Sequence, residues 1–227
     1  MDTILYIGIL AGAMQILGYY FYLKNEDIEP NPVTWFMFAY GTAILTILEW
    51  DGDATLAELF LPTACAVLAI VVSVVCWRKA RAIDPSRWWP EDWWPKDRGD
   101  QYSFISDIAI SVGYVLAWVV VYVGWATGDT REWWVLVFLF LSNVSTIPAF
   151  VPIIRSTLRH PEHEHWLPWA IWTYAYALLA YVTYATHGEW WHPLMLYPAL
   201  NAVMHGAMAI VAHPLFHRKH LKTPTVG

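Results

Sequence analysis

Leu141 to Tyr184 reads LSNVSTIPAFVPIIRSTLRHPEHEHWLPWAIWTYAYALLAYVTY. It is an apolar helix broken by two prolines (Pro148, Pro152), a short basic turn bearing histidines, and a second apolar helix crowded with aromatics. The same order occurs earlier. Leu10 to Trp50, LAGAMQILGYYFYLKNEDIEPNPVTWFMFAYGTAILTILEW, also runs from an apolar helix through a charged turn and a proline to a Trp that opens an aromatic helix. With Trp35 laid on Trp169, Phe38 falls on Trp172, Tyr40 on Tyr174, Ala43 on Ala177 and Leu45 on Leu179. The match continues into the next helix, where residues 62–67, PTACAV, lie over residues 198–203, PALNAV. Persistence through three helices and two turns favours an internal duplication.

Working outward, the composition requires a membrane. The 227 residues are 58% hydrophobic and 14% charged, with a mean hydropathy of +0.38, whereas a soluble domain carries about 25% charge. Apolar runs long enough to cross a hydrocarbon core of about 30 Å as helices fall at Thr3–Leu23, Val33–Trp50, Leu56–Trp77, Phe104–Ala126, Trp133–Ile154, Leu167–Thr186 and Leu194–Ala212. Their length and continuous apolarity do not suit barrel strands. The fold expected is all-α and polytopic, with seven transmembrane helices.

The turns alternate between basic and acidic. Of the 13 Lys and Arg, all but Arg131 fall on one side: Lys24, six between Arg78 and Arg98, Arg155, Arg159, Arg218, Lys219 and Lys222. That side is read as cytoplasmic, with the N-terminus outside, the C-terminus inside, and the cell membrane as the expected location. The first helix lacks a basic leader and a small-residue cleavage site and is read as a retained span. The net charge of −6 and the lack of a basic face beyond the flanking turns give no expectation of nucleic-acid binding. Cys65 and Cys76 sit eleven residues apart on one helix, about 16 Å at helical rise, too far to bridge.

Seven spans divide as three, one, three. A directly repeated three-helix unit inverts in the membrane, so one extra crossing is needed to set the second copy parallel to the first. The organisation expected is a three-helix bundle over 1–77, a Trp-rich cytoplasmic linker over 78–102, an inversion helix over 103–127, a second bundle over 128–213 and a tail over 214–227. The linker carries RWWPEDWWP, residues 87–95. Trp rings favour the headgroup layer, so the segment reads either as an interfacial anchor or as a docking surface for a protein partner or a second copy. Asp107 is expected to cap the fourth helix.

The 3+1+3 plan, the proline-bearing IPAFVPIIRST helix followed by a Trp-opened helix, and the N-out/C-in topology resemble the SWEET and semiSWEET sugar transporters. They also resemble the wider PQ-loop group and the nicotinamide riboside transporters built on the same plan. The resemblance implies a carrier of a small solute by alternating access. The Pro-Gln dipeptide of the group is absent: Ile16-Leu17-Gly18 stands opposite Ile147-Pro148-Ala149. Asn201 takes the position of a substrate-holding Asn in that family, and its first-unit counterpart is Cys65.

Polar groups at bilayer depth face the protein interior or a cavity by default. Gln15, Asn143, Asn201 and His205 are the candidates for holding solute, with Asn201 and His205 one turn apart on one face. The alternative is interhelical bonding between amides, worth about 1 kcal/mol or less. Aromatic walls for a sugar, nucleoside or vitamin ring are expected from Trp172, Tyr174 and Tyr40, while Trp35 and Trp169 read as interfacial. Pro148, Pro152 and Pro198 are candidate hinges, and Pro62 reads as a first-turn proline. Glu49 is expected to be solvated. With no buried acidic pair apparent for ion coupling, a facilitator is expected.

Rival classes were weighed on the same residues. A metallohydrolase needs converging ligands; His160, His163 and His165 share a loop, and Pro214 interrupts the His213–His217 pair, with His220 beyond. A retinal photoreceptor needs a buried lysine, and all five lysines lie in turns or tails. A non-catalytic assembly or receptor-like protein remains open. The expectation is therefore no enzyme activity, no metal and no cofactor, with the bilayer and a small solute as partners.

Overall fold

The computed structural model describes residues 2–24, 32–83, 85, 98–124, 128–161 and 164–216. The Trp-rich segment 87–95, His163, His217, His220 and most of the tail lie outside the described residues. Among the described residues seven α-helices follow one another: α1 (Asp2–Lys24), α2 (Pro32–Asp51), α3 (Leu56–Ile83), α4 (Arg98–Tyr122), α5 (Gly128–Arg159), α6 (Trp166–His187) and α7 (Leu196–Val211). A short 3₁₀ turn, Pro193–Met195, leads into α7. The protein is all-helical among the described residues.

Five of these helices are long and apolar enough to cross a membrane: α1, α3, α4, α5 and, with the turn before it, α7. The other two helices are α2 and α6. They are not peripheral. α6 lies against α1 and α7, and α2 lies against α3 and α5. α3 packs on both α1 and α2, and α7 packs on both α5 and α6, so the third helix of each set lies between the other two. Across the sets α1 faces α6 and α2 faces α5, while α4 clasps α5 and touches α2.

Local chemistry sets the ends. Thr55 and Glu58 form a capping pair at the start of α3: the Thr55 backbone N–H and hydroxyl both donate to Glu58 Oε2 at 2.8 Å. His165 caps α6 through Nδ1, which accepts from the Leu167 N–H. Gly188 ends α6 at φ 75°, with its N–H on the Tyr184 carbonyl, a left-handed position that glycine adopts without a Cβ clash.

The prolines behave differently from expectation. α5 is one continuous helix of 32 residues that runs through Pro148 and Pro152, so neither breaks it. Each ring removes a single ladder bond, and the packing on α2, α4 and α7 holds the rest. Pro62 lies inside α3, not in its first turn, whereas Pro198 sits in the first turn of α7, where the missing N–H would have had no partner anyway.

Candidate functional site

α6 builds one wall. Trp169, Trp172 and Tyr176, spaced three and four residues apart, share a buried face. α1 opposes it with Tyr19 and Tyr22, α2 with Trp35 and Phe38, and α5 with Phe150. The rings interlock edge to face: Trp172 stands 5.0 Å from Tyr19, 5.0 Å from Trp169 and 6.1 Å from Trp35, centroid to centroid. The Trp172 indole N–H donates to the Gln15 carbonyl at 3.1 Å. Gly18 makes room for it, since a Cβ there would lie 2.2 Å from the indole nitrogen.

These helices enclose a cavity lined by Tyr19, Trp35, Phe38, Thr42, Cys65, Asp107, Phe150, Trp172, Tyr176, Tyr197, Asn201 and His205 among others. It offers about 40 Å³ to water-sized molecules, room for two to four waters at about 10–15 Å³ each. The gap is smaller than a sugar.

The polar groups around the gap are oriented by their neighbours. His205 Nδ1 is 2.8 Å from the Asn201 carbonyl. A carbonyl only accepts, so Nδ1 carries the proton and Nε2 is the free acceptor of the neutral ring. Asn201 donates Nδ2 to the Tyr197 carbonyl at 3.0 Å, which leaves its Oδ1 as an acceptor. Tyr176 and Tyr197 share a hydroxyl bond of 3.1 Å, and the Tyr19 hydroxyl meets the Cys65 sulfur at 3.3 Å. Asp107 accepts from the Ser145 hydroxyl and looks across at Gly41, where a Cβ would come within 3.0 Å of its Oδ2.

Of the residues expected to hold solute, Asn201, His205 and Trp172 line the cavity. Gln15 is buried just behind the wall, its amide beside the Tyr19 hydroxyl and its Oε1 without a partner. Asn143 is fully buried on α5, donating Nδ2 to the Leu139 carbonyl at 2.9 Å, with Oδ1 unpartnered. Tyr40 points to α4, where its hydroxyl donates to Ser111 at 2.9 Å. Tyr174 is 67% exposed on the outer face of α6. Both tyrosines follow a cavity ring (Phe38, Trp172) by two residues, about 200° around a helix, and so face the other way.

Pro148 is half-buried and Pro198 buried, neither among the lining residues; Pro152 is placed only as part of α5. Trp35 and Trp169, expected at the interface, are buried in the wall. Asp107 is no cap: α4 begins at Arg98, and the carboxyl lies buried at the cavity edge. Tyr19, Tyr176 and Tyr197 were missed altogether. The spacing 169, 172, 176 would have found Tyr176, and Tyr19 follows Gly18, which the sequence alignment of the two stretches sets opposite Ala149.

At the end of the bundle bearing the basic turns, a chain of polar contacts joins α1, α2 and α6. The Trp35 indole donates to the Tyr22 hydroxyl at 3.3 Å, Tyr22 donates to Glu164 Oε1 at 3.5 Å, and the Trp169 indole donates to Glu164 Oε2 at 3.0 Å. Burial pushes the Glu164 carboxyl up to about 7, against the two hydrogen bonds that favour its charge. At the acidic end, His187 Nε2 meets Glu58 Oε1 at 3.0 Å and ties α6 to α3. No protein-family model matches the chain, and neither a curated protein nor a solved structure matches it.

Proposed function

We propose that this chain is a membrane carrier that moves a small polar or ring-containing solute, such as a sugar, nucleoside or vitamin, by alternating access. In this reading all seven helices span the membrane. α1–α3 and α5–α7 are the two halves of a duplication, α4 is the inversion helix, and the basic end faces the cytoplasm.

The observation that carries the reading is the arrangement of rings around the cavity. The duplication that pairs Gly18 with Ala149 and Trp35 with Trp169 also pairs Tyr19 with Phe150 and Phe38 with Trp172. Within the halves, Trp35 meets Tyr19 at 5.6 Å and Trp169 meets Phe150 at 6.2 Å. Between the halves, Trp172 meets Tyr19 at 5.0 Å and Phe38 meets Phe150 at 5.3 Å. Corresponding residues thus make corresponding contacts, as a twofold-related pair would. Cys65 and Asn201, also paired, both line the gap.

A cavity lined by rings and by polar groups such as Asn201 and His205, set between two such halves, is where a repeat-built carrier binds its cargo. Rocking the halves would widen it toward one side at a time. Uptake by vesicles containing the purified protein, screened against sugars, nucleosides and vitamins, tests the reading. Uptake of at least one class, lost in Asn201→Ala with normal insertion, is expected; no uptake of any class rejects it.

A further inference from the structure

The acidic end holds a cluster that the carrier reading does not use. Glu49, in the last turn of α2, is 3% exposed, and its Oε2 has no partner. Glu58, in the first turn of α3, is equally buried and lies within electrostatic reach of Glu49. Its Oε2 is taken by Thr55 and its Oε1 by His187. His187 stacks flat on His192, with centroids 3.7 Å apart and planes 5° apart. The remaining ionisable neighbours are Glu189, exposed beside His192, and Tyr197 of α7, near Glu49. Asp51 is paired with Arg131 of α5. α1 meets this corner through Gly8, against Ala57 of α3.

The charge balance is short by one. Two buried carboxylates lie beside one imidazole in contact, which pairs with Glu58 and leaves Glu49 Oε2 unpartnered. Two adjacent buried carboxylates do not both stay ionised when one can take a proton. His192 does not supply the missing charge, because burial, and then His187 beside it, push its imidazole down from the usual range. The vacant acceptor is Glu49 Oε2.

We propose that Glu49, buried beside the Glu58–His187 contact with an acceptor unfilled, is a proton-binding latch that closes the acidic end around one more proton than it holds when open. Glu58 belongs to the first half and His187 to the second, so parting them exposes the buried Glu49 carboxyl to water, where it releases the proton. By linkage, the closed corner is most stable at low pH and loosens as pH rises. On the carrier reading, on which this consequence rests, each opening of that end releases a proton, and a proton gradient biases the direction of transport.

Hydrogen exchange of the backbone amides in 187–196, corrected for intrinsic pH dependence, tests it on the full-length protein without knowledge of the solute. Protection should fall as pH rises, by up to tenfold per pH unit for one linked proton. Glu49→Gln, which carries the neutral form permanently, should keep protection high and flat. His187→Gln should lower it at every pH while α4 and α5 stay protected. A flat profile in the unaltered protein, or an unchanged slope in Glu49→Gln, overturns the latch. The two readings fail separately: a normal titration with no uptake of any solute sinks the carrier, and uptake with a flat titration sinks the latch.

Discussion

Trp172 is held on three sides: its indole N–H on the α1 backbone, its faces between Tyr19 and Trp169, its edge against His205. The fit depends on Gly18. Gly18→Ala sets a methyl 2.2 Å from the indole nitrogen, and a bulky ring with packed neighbours has little room to yield. Overpacking of this kind costs about 1–3 kcal/mol, so the unfolding midpoint of the purified protein should fall. Trp172→Phe in the same background should recover most of the loss; no recovery would assign the cost to α1 itself. On the carrier reading, Trp172→Ala should weaken ring-bearing solutes more than small amines, measured by binding to the purified protein. Equal losses would remove stacking from the site. Asn201, His205 and Trp172 were legible in the sequence because polar or large aromatic groups in an apolar helix have few other places to go. Tyr40 and Tyr174 were misread because aligning two stretches of sequence pairs positions without saying which face they occupy.

At the level of elements, the connection between α5 and α6 carries the most testable chemistry. Glu164 closes the basic end by accepting from Tyr22 of α1 and Trp169 of α6. Its folded value of about 7 lies above the ordinary carboxyl range, so the folded state binds more protons than the unfolded one between those two values. The stabilisation is therefore complete below the ordinary carboxyl value and is lost as pH rises through about 7. The unfolding midpoint should decline over that window, and Glu164→Gln should flatten this part of the decline. An identical pH profile in the variant would exclude Glu164 as its source. Helix existence was readable from apolar runs, and the 1–3–2 packing of each set followed from no single residue. Burial of Asp107 and Glu49 was unreadable for a different reason. Sequence places a carboxylate near a helix end only to within a turn or two, and a single turn separates a solvated cap from a buried wall. α4 starts at Arg98, well ahead of the apolar run, which turned an expected cap at Asp107 into a mid-helix side chain.

For the whole molecule, the question is whether the two sets of helices part at one end while staying shut at the other. Cys65 is a natural reporter: it lines the cavity, is buried, and lies in α3 between Tyr19 and Thr42. In a Cys76→Ser background it is the one thiol left in the chain. With both ends closed, a membrane-impermeant maleimide should label it slowly from either face. Glu164→Ala removes the acceptor that joins Tyr22 and Trp169, so the basic end should open more often, and labelling from that face should accelerate about tenfold if the closed form loses about 1.4 kcal/mol. Labelling from the acidic face should not accelerate, because the Glu58–His187 contact is untouched. On the carrier reading, a transported solute should slow the reaction by filling the gap. Equal acceleration from both faces would mean that the variant loosens the bundle as a whole, and the two ends would then not be independent gates.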